Sequence, residues 1–424
     1  MSFLKTTLDN GLTILVKELH AAPVASFWVW YRVGSRNEYT GITGISHWVE
    51  HMLFKGTPTF PKGVAEKAIA RDGGVFNGMT AHDFTTYFAT LPAAHVELAL
   101  RIEADRMANA LFDPEEVAAE RSVIISERQG AENMPEFLLN EELMAATFRV
   151  HPYGNDIVGH MCDLETMTRD QLHAHYRTYY APQNALAVAV GDFDTGEMVR
   201  LIESRFGAIS RGLDIPVVSA IEPPQMGERR VIREGEGQVA YFEMAFRAPS
   251  VRESDFFALT VLDAILSGAS GMTFFGGGLT NKSSRLYRAL VAAEFAIAVS
   301  GSLTPAVDPF VYSIFAVVRA GRTLVELEGA LNAEIERVIA EPVTQQELSK
   351  AIKQAKAQFA YSSESVTSQA LWLGFSEIFA DHTWFENYIA NLSAVTVADV
   401  QRVAQKYLRQ SNRTVGWYVP TNGQ

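Results

Sequence analysis

Residues 43–54 read Thr-Gly-Ile-Ser-His47-Trp-Val-Glu50-His51-Met-Leu-Phe, a stretch that predicts a helix from near Thr43 to the Lys55-Gly56 stop signal. Positions i and i+4 of a helix project from one face, so His47 and His51 can offer two imidazoles to one metal ion at zinc-ligand distances. Glu50 lies beside that face, where its carboxylate can take a proton from a metal-activated water without binding the ion. The pentapeptide therefore predicts a catalytic metal site.

A third ligand is needed, because two chance histidines on an amphipathic helix would show the same spacing, and catalytic zinc takes three protein ligands. A second helix is predicted from Asp113-Pro114-Glu115-Glu116, which has a capping Asp and a first-turn Pro. Glu120 and Glu127 lie two turns apart on it, on a face shared with Val123 and Ile124 that we expect to look inward. We predict Glu127 as the third ligand and Glu120 as a carboxylate that orients a ligand histidine, and the spacing alone also allows the reverse.

This ligand set predicts hydrolytic chemistry. Zinc bound by two histidines and a glutamate lowers the pKa of its water toward about 7 and polarises a scissile carbonyl. Glu50 would act as the general base and then pass the proton to the leaving amine.

Composition limits the other possibilities. A chain of 424 residues is too long for one hydrophobic core and predicts two or three domains. The formal charge of −13 argues against nucleic acid and against an anionic membrane surface as partners. The single cysteine, Cys162, rules out an internal disulfide and a thiolate zinc site.

The start of the sequence lacks the basic and apolar regions of a signal peptide, and no apolar run approaches the roughly 20 residues of a membrane span. We therefore expect a cytoplasmic protein, or a periplasmic one if a signal peptide was removed.

Strand and helix patterns divide the chain in two. It opens with a predicted hairpin of strands 12–16 and 24–33, and a buried strand is predicted at 185–190. Residues 209–229 have weak periodicity and contain three prolines, which is typical of a linker. We predict an N-terminal metal-binding domain over 1–212, a linker over 213–229 and a C-terminal domain over 230–424.

The second half repeats features of the first. Residues 238–246 repeat the strand pattern of residues 23–31. The segment 392–396, which precedes Tyr407 and Asn412, matches the segment 164–168, which precedes Tyr179 and Asn184. Repeats of this length indicate two domains of one duplicated α+β fold, of which only the first carries the metal motif.

These motifs together resemble the pitrilysin family, which includes insulin-degrading enzyme and mitochondrial processing peptidase, and H-x-x-E-H is the inverzincin signature. The likeness covers nearly the whole chain. Its motifs are Asn10-Gly11-Leu12, His47 to Thr57, Gly73 to Thr80 with Asp83, Thr85 and Tyr87, Arg121 to Glu127, His151 to Gly154, and Tyr179 to Asp192.

The resemblance implies a mitochondrial processing peptidase-like fold, in which each of two homologous α+β domains is a mostly antiparallel sheet packed with helices. It implies a zinc metalloendopeptidase in which two chains form a clam-shaped shell around the site. Unfolded peptides would bind partly by β-addition to the edge strand near Asn77.

The second domain departs from the family pattern. Ser283-Ser284-Arg285-Leu286 is present, but the family's Arg and Tyr positions, which reach the substrate, fall at Val291 and Ala298. Because a missing oxyanion donor typically costs about 10²–10³ in rate, we expect a heterodimer in which a homologous chain supplies the Arg/Tyr pair. A homodimer that has replaced the pair is the competing prediction.

Two further expectations remain. The glycine-rich segment 267–278 predicts a mobile loop near the chamber. The alternative to catalysis is a non-catalytic structural or peptide-binding subunit of a larger complex.

Overall fold

The computed structural model describes residues 3–269 and 282–421. The chain forms two compact units. Unit 1 comprises Met1–Gln129, Asn155–Ala220 and Ser363–Phe385, and unit 2 comprises Gly130–Gly154, Ile221–Ser362 and Glu386–Gln424.

Each unit contains one β-sheet. The strands are β1 (Leu4–Thr7), β2 (Thr13–Glu18), β3 (Val24–Tyr31), β4 (Val75–Thr80), β5 (Thr85–Pro92), β6 (Ala185–Gly191), β7 (Arg229–Gly235), β8 (Tyr241–Arg247), β9 (Ala296–Leu303), β10 (Val311–Val318) and β11 (Arg413–Pro420).

Helices account for most of the remaining regular structure. They are α1 (Ile45–Met52), α2 (Val64–Arg71), α3 (Val96–Asn109), α4 (Pro114–Glu132), α5 (Pro135–Thr147), α6 (Met161–Thr166), α7 (Arg169–Tyr179), α8 (Thr195–Phe206), α9 (Asp255–Leu266), α10 (Leu324–Ala340), α11 (Gln345–Ser362), α12 (Val366–Phe379), α13 (Thr383–Ala394) and α14 (Val397–Tyr407).

The sheet of unit 1 has the order β1-β2-β6-β3-β5-β4, and all neighbours are antiparallel except β2 and β6. The predicted hairpin of residues 12–16 and 24–33 is therefore wrong, because β6 lies between β2 and β3. Every residue of β6 is buried, so this apolar strand needs a neighbour on both sides. The opening hairpin is instead β1 with β2, joined through Asn10-Gly11.

Unit 2 repeats this plan with the order β7-β11-β8-β10-β9, in which only β7 and β11 are parallel. The sequence repeats correspond to equivalent contacts. Thr168 and Thr396 each begin a helix with a capping box. Asn184 Nδ2 donates to the Tyr179 carbonyl at 2.9 Å, and Asn412 Nδ2 donates to the Tyr407 carbonyl at 2.8 Å. The predicted duplicated α+β fold is confirmed.

The two halves of the sequence also exchange one helix each. Helix α5, from the first half, packs on β7, β8 and β11 of unit 2, and α12, from the second half, packs on β3 and β6 of unit 1. Gly374 of α12 lies so close to Trp30 that a Cβ would be 2.2 Å from the indole nitrogen. The compact units are thus discontinuous in sequence, whereas the domains predicted from the sequence are the contiguous ranges 1–212 and 230–424.

The segment between α8 and β7 contains no helix or strand, and the step from unit 1 to unit 2 at Ala220 and Ile221 falls within it. Among the described residues, no helix combines the length and apolar character required to span a bilayer.

Candidate metal centre

Helix α1 begins after Gly44, two residues later than the sequence predicts, because Gly44 adopts a left-handed conformation (φ +85°). No side chain of its own caps this helix. The buried carboxylate of Glu38 instead accepts hydrogen bonds from the Gly44 and Ser46 amides at 2.7 and 2.9 Å. Asp163, from α6, accepts from the Thr43 amide and hydroxyl at 3.0 and 2.6 Å. Sequence analysis missed both carboxylates.

One face of α1 is fixed in the core of unit 1. Its buried side chains are Ile45, Trp48, Val49 and Met52, followed by Leu53 at the end of the helix. His47 and His51 are only partly buried on another side. The helix is thus held by its apolar face while two imidazoles remain accessible.

The two imidazoles meet one carboxylate of α4. His47 Nε2 and His51 Nε2 are 3.2 Å apart, and Glu127 Oε2 lies 3.8 Å from the first and 3.6 Å from the second. A tetrahedral ion with bonds of about 2.0–2.1 Å separates its donors by about 3.3–3.4 Å. The three residues therefore fit a zinc ion, and they are the one such donor group among the described residues.

Burial lowers the pKa of His47 to about 3, and the neighbouring His51 adds to this effect. His47 is therefore neutral at physiological pH, which leaves a nitrogen lone pair for a metal.

Glu120 contacts the other nitrogen of the second histidine. His51 Nδ1 donates to Glu120 Oε1 at 2.8 Å, which directs Nε2 toward the donor group. Burial by itself raises the pKa of Glu120, but hydrogen bonds from Lys55 and His51 outweigh it, so that the pKa is lowered. Glu127, and not Glu120, thus lies in the donor group.

The predicted inward face of α4 is only partly correct. Glu120 and Ile124 are buried, but Val123 is 44% exposed, and Glu127 is exposed as well. The two carboxylates therefore differ in burial, although they lie two turns apart on the same helix. Arg121 fixes this helix near α1, because it lies over the Trp48 ring at 4.8 Å and donates to the Met167 carbonyl at 2.6 Å.

Glu50 lies outside the donor group and is buried. Burial raises the pKa of its carboxyl, and a hydrogen bond from Thr80 opposes that effect. The Thr80 hydroxyl donates to Glu50 Oε2 at 2.7 Å.

Asn77 lies in β4, the edge strand of the unit 1 sheet, and it is exposed. Its Oδ1 accepts from the Gly78 amide at 2.9 Å. The strand next to Glu50 is therefore an open edge.

In unit 2, Val291 ends a π-helical turn and Ala298 is exposed on the edge strand β9. The nearby Arg285 is buried and binds Glu347 through two hydrogen bonds of 2.8 and 3.0 Å. This guanidinium is therefore engaged within its own unit. The predicted mobile loop 267–278 falls mostly on residues 270–281, outside the described residues.

A His-His-Glu donor set with an adjacent buried carboxylate fits a metal-dependent hydrolase. Two models of one family match the chain: "Insulinase (Peptidase family M16)" over residues 13–160 and "Peptidase M16 inactive domain" over residues 166–355. The chain belongs to peptidase family M16, and zinc is its cofactor.

Curated relatives agree over the whole length. The zinc protease PqqE of Helicobacter pylori is 29% identical over 98% of this chain and 92% of its own length. The probable β subunit of the mitochondrial processing peptidase of Arabidopsis thaliana is 28% identical over 95% of this chain and 76% of its own. Among solved structures, a protease from Helicobacter pylori superposes with a TM-score of 0.93, at 27% identity and 99% coverage of both chains. The resemblance to the mitochondrial processing peptidase family is confirmed.

Proposed function

We propose that this chain is the zinc-bearing subunit of a metalloendopeptidase that hydrolyses unfolded peptides. The observation that carries the proposal is the convergence of His47, His51 and Glu127, whose donor atoms lie within 4.8 Å of one another. Helix α1, which carries His47 and His51, also carries the buried carboxylate of Glu50, and this carboxylate supplies the base that such a centre requires.

When bound, zinc polarises the scissile carbonyl and makes water a stronger acid. His47, His51 and Glu127 would hold the ion. Glu120 keeps the His51 ring in one orientation by accepting from Nδ1.

Glu50 moves the proton. It accepts one proton from the attacking water while the water oxygen bonds to the carbonyl carbon. When the C–N bond breaks, Glu50 returns that proton to the amine nitrogen, so the carboxylate is regenerated.

The open edge of β4 suits an extended peptide. A peptide added as a further strand would pair its backbone with β4 and run past Asn77. Only a chain segment without its own secondary structure can pair in this way, which favours unfolded substrates.

A homologous partner chain would complete the site. Val291 and Ala298 offer no side-chain donor, and Arg285 is bound to Glu347. The relatives include β subunits of mitochondrial processing peptidases, whose names imply a second subunit. We favour a heterodimer, with a homodimer as the alternative. The cytoplasmic location stays a prediction.

The test compares the zinc-loaded protein, in the assembly isolated from its own cells, with the Glu50→Gln variant on a pool of unfolded peptides. We expect turnover in the wild type and a loss of at least about 10²-fold in the variant, with zinc retained. Equal peptide binding without turnover by either protein would instead indicate a structural or peptide-binding subunit.

A further inference from the structure

The two oxygens of the Glu50 carboxylate have different surroundings. Oε2 accepts the hydrogen bond from the Thr80 hydroxyl at 2.7 Å. Oε1 lies next to Gly78, where a Cβ would approach it to 3.2 Å. One oxygen is therefore held, and the other is next to a residue that has no side chain.

Both contacts come from one face of β4. Side chains alternate along a strand, so Phe76, Gly78 and Thr80 share a face, and Val75 and Asn77 are exposed on the other. Phe76 packs edge-on against Phe54, which follows α1, with ring centroids 5.4 Å apart. The inner face of the edge strand is therefore fitted against the helix that carries Glu50.

The Thr80 hydroxyl is itself well defined. Threonine is branched at Cβ, which restricts its χ1 angle. The hydroxyl oxygens of Thr80 and Thr85 are 3.4 Å apart. The Thr85 hydroxyl donates its own proton to the Val33 carbonyl at 2.9 Å. The single proton of Thr80 is thus directed to the nearer acceptor, the Glu50 carboxylate.

A glutamate needs such a contact, because its terminal torsion has broad, poorly defined minima. We infer that Thr80 is a positioning residue that holds Glu50 by Oε2 and leaves Oε1 to receive the proton of the attacking water. The inference rests on the proposed peptidase function. Thr80 keeps its own proton throughout, so the proton balance of the reaction is unchanged.

This arrangement gives β4 two roles. Its outer edge is the proposed site of peptide addition, and its inner face holds the base. Thr80 should therefore influence the rate of the chemical step more than the affinity for peptide.

The test is a comparison of steady-state kinetics for Thr80→Val, Thr80→Ser and Thr90→Val in the same assembly. Valine keeps the shape and removes the hydroxyl, whereas serine keeps the hydroxyl. Thr90 on β5 is the matched control, because its hydroxyl bonds Ser26 and Thr367 at 2.7 and 2.8 Å and does not contact Glu50.

We expect Thr80→Val to lower kcat about 10- to 100-fold with KM unchanged and zinc retained. Thr80→Ser should recover most of that loss, and Thr90→Val should leave kcat unchanged. An unchanged kcat in Thr80→Val, an equal loss in Thr80→Ser, or a change confined to KM would overturn the inference.

Crystal structures of the zinc-loaded wild type and Thr80→Val give a second readout that does not depend on turnover. The carboxylate of Glu50 should rotate in the variant, and an unmoved carboxylate would contradict the inference. Failure of the peptidase proposal itself would look different, because wild type and Glu50→Gln would then show the same activity.

Discussion

Helices α1 and α9 occupy equivalent places in the two units. Each follows a buried antiparallel strand, β3 or β8, and each packs against the capped helix α7 or α14. Every residue of α9 except Thr260 is buried, whereas α1 leaves His47 and His51 partly accessible. The same scaffold therefore supports a core helix in one unit and a metal-binding helix in the other.

The neighbouring helix differs in the same sense. Helix α4 brings Glu120 and Glu127 to the α1 histidines. Helix α11, which packs against α9, buries Leu348, Ala351 and Ala355 instead. In the described part of unit 2, the equivalent helix α9 is buried, and the single carboxylate of α11, Glu347, is bound to Arg285.

Replacing a ligand should have the largest effect. We expect His51→Ala to lose zinc and at least about 10³-fold in turnover, because two donors no longer complete the ligand set. Metal content of the purified protein and peptide hydrolysis measure the two effects. His95→Ala is the control, since His95 is exposed and outside the donor group. A full zinc content in His51→Ala would show that the difference between α1 and α9 lies elsewhere.

The carboxylates that fix the two helix starts should respond to pH in opposite directions. Burial raises the pKa of Glu38 from 4.5 to about 7, although the Ser46 and Gly44 amides oppose it. Burial also acts on Asp255 at the start of α9, but Lys406, Arg402 and Tyr407 outweigh it and lower the pKa from 3.8 to about 2.

Native Glu38 keeps a proton that the unfolded chain releases, so its contribution to the free energy of unfolding falls as the pH rises from about 4.5 to about 7. The contribution of Asp255 is complete above about pH 3.8 and is lost as the pH falls toward 2. Urea unfolding at several pH values should show that the free energy of unfolding of Glu38→Gln, relative to that of the wild type, increases as the pH rises. The loss in free energy of unfolding that Asp255→Asn shows relative to the wild type should become smaller as the pH falls toward 2. Parallel pH profiles for both variants and the wild type would contradict this assignment.

The smallest effects should be equal in the two units. Thr168→Ala and Thr396→Ala each remove a capping box and should cost about 1 kcal/mol of local stability. Hydrogen exchange of the first turns of α7 and α14 measures this loss, and serine at either position should restore it. A loss at one position alone would show that the duplicated caps are not equivalent.

Most of the candidate site is predictable from the sequence, because most of its key residues lie close together along the chain. His47, Glu50 and His51 lie within two helical turns, and the helix containing Glu127 begins with a strong cap signal. By contrast, Glu38 and Asp163 hold α1 through contacts with backbone amides, and no residue pattern marks a carboxylate that caps a helix from outside. Thr80 was visible only as part of a family motif.

The fold was less predictable where strands pair across long separations. The strand patterns of β2 and β3 are local and predict both strands, but nothing in them places β6, which lies far along the chain, between the two. The exchange of α5 and α12 is not predictable from sequence for the same reason, because it depends on contacts between segments far apart in the chain.

The position of α12 in unit 1 determines how late in synthesis unit 1 can complete its fold. Trp28 stacks on Trp30 and Phe88 within the sheet, and Trp30 contacts Gly374 of α12. During synthesis, this aromatic face stays uncovered until residues 366–379 have left the ribosome. A chain truncated before this segment would leave the aromatic face exposed, and an exposed apolar patch of this kind favours aggregation.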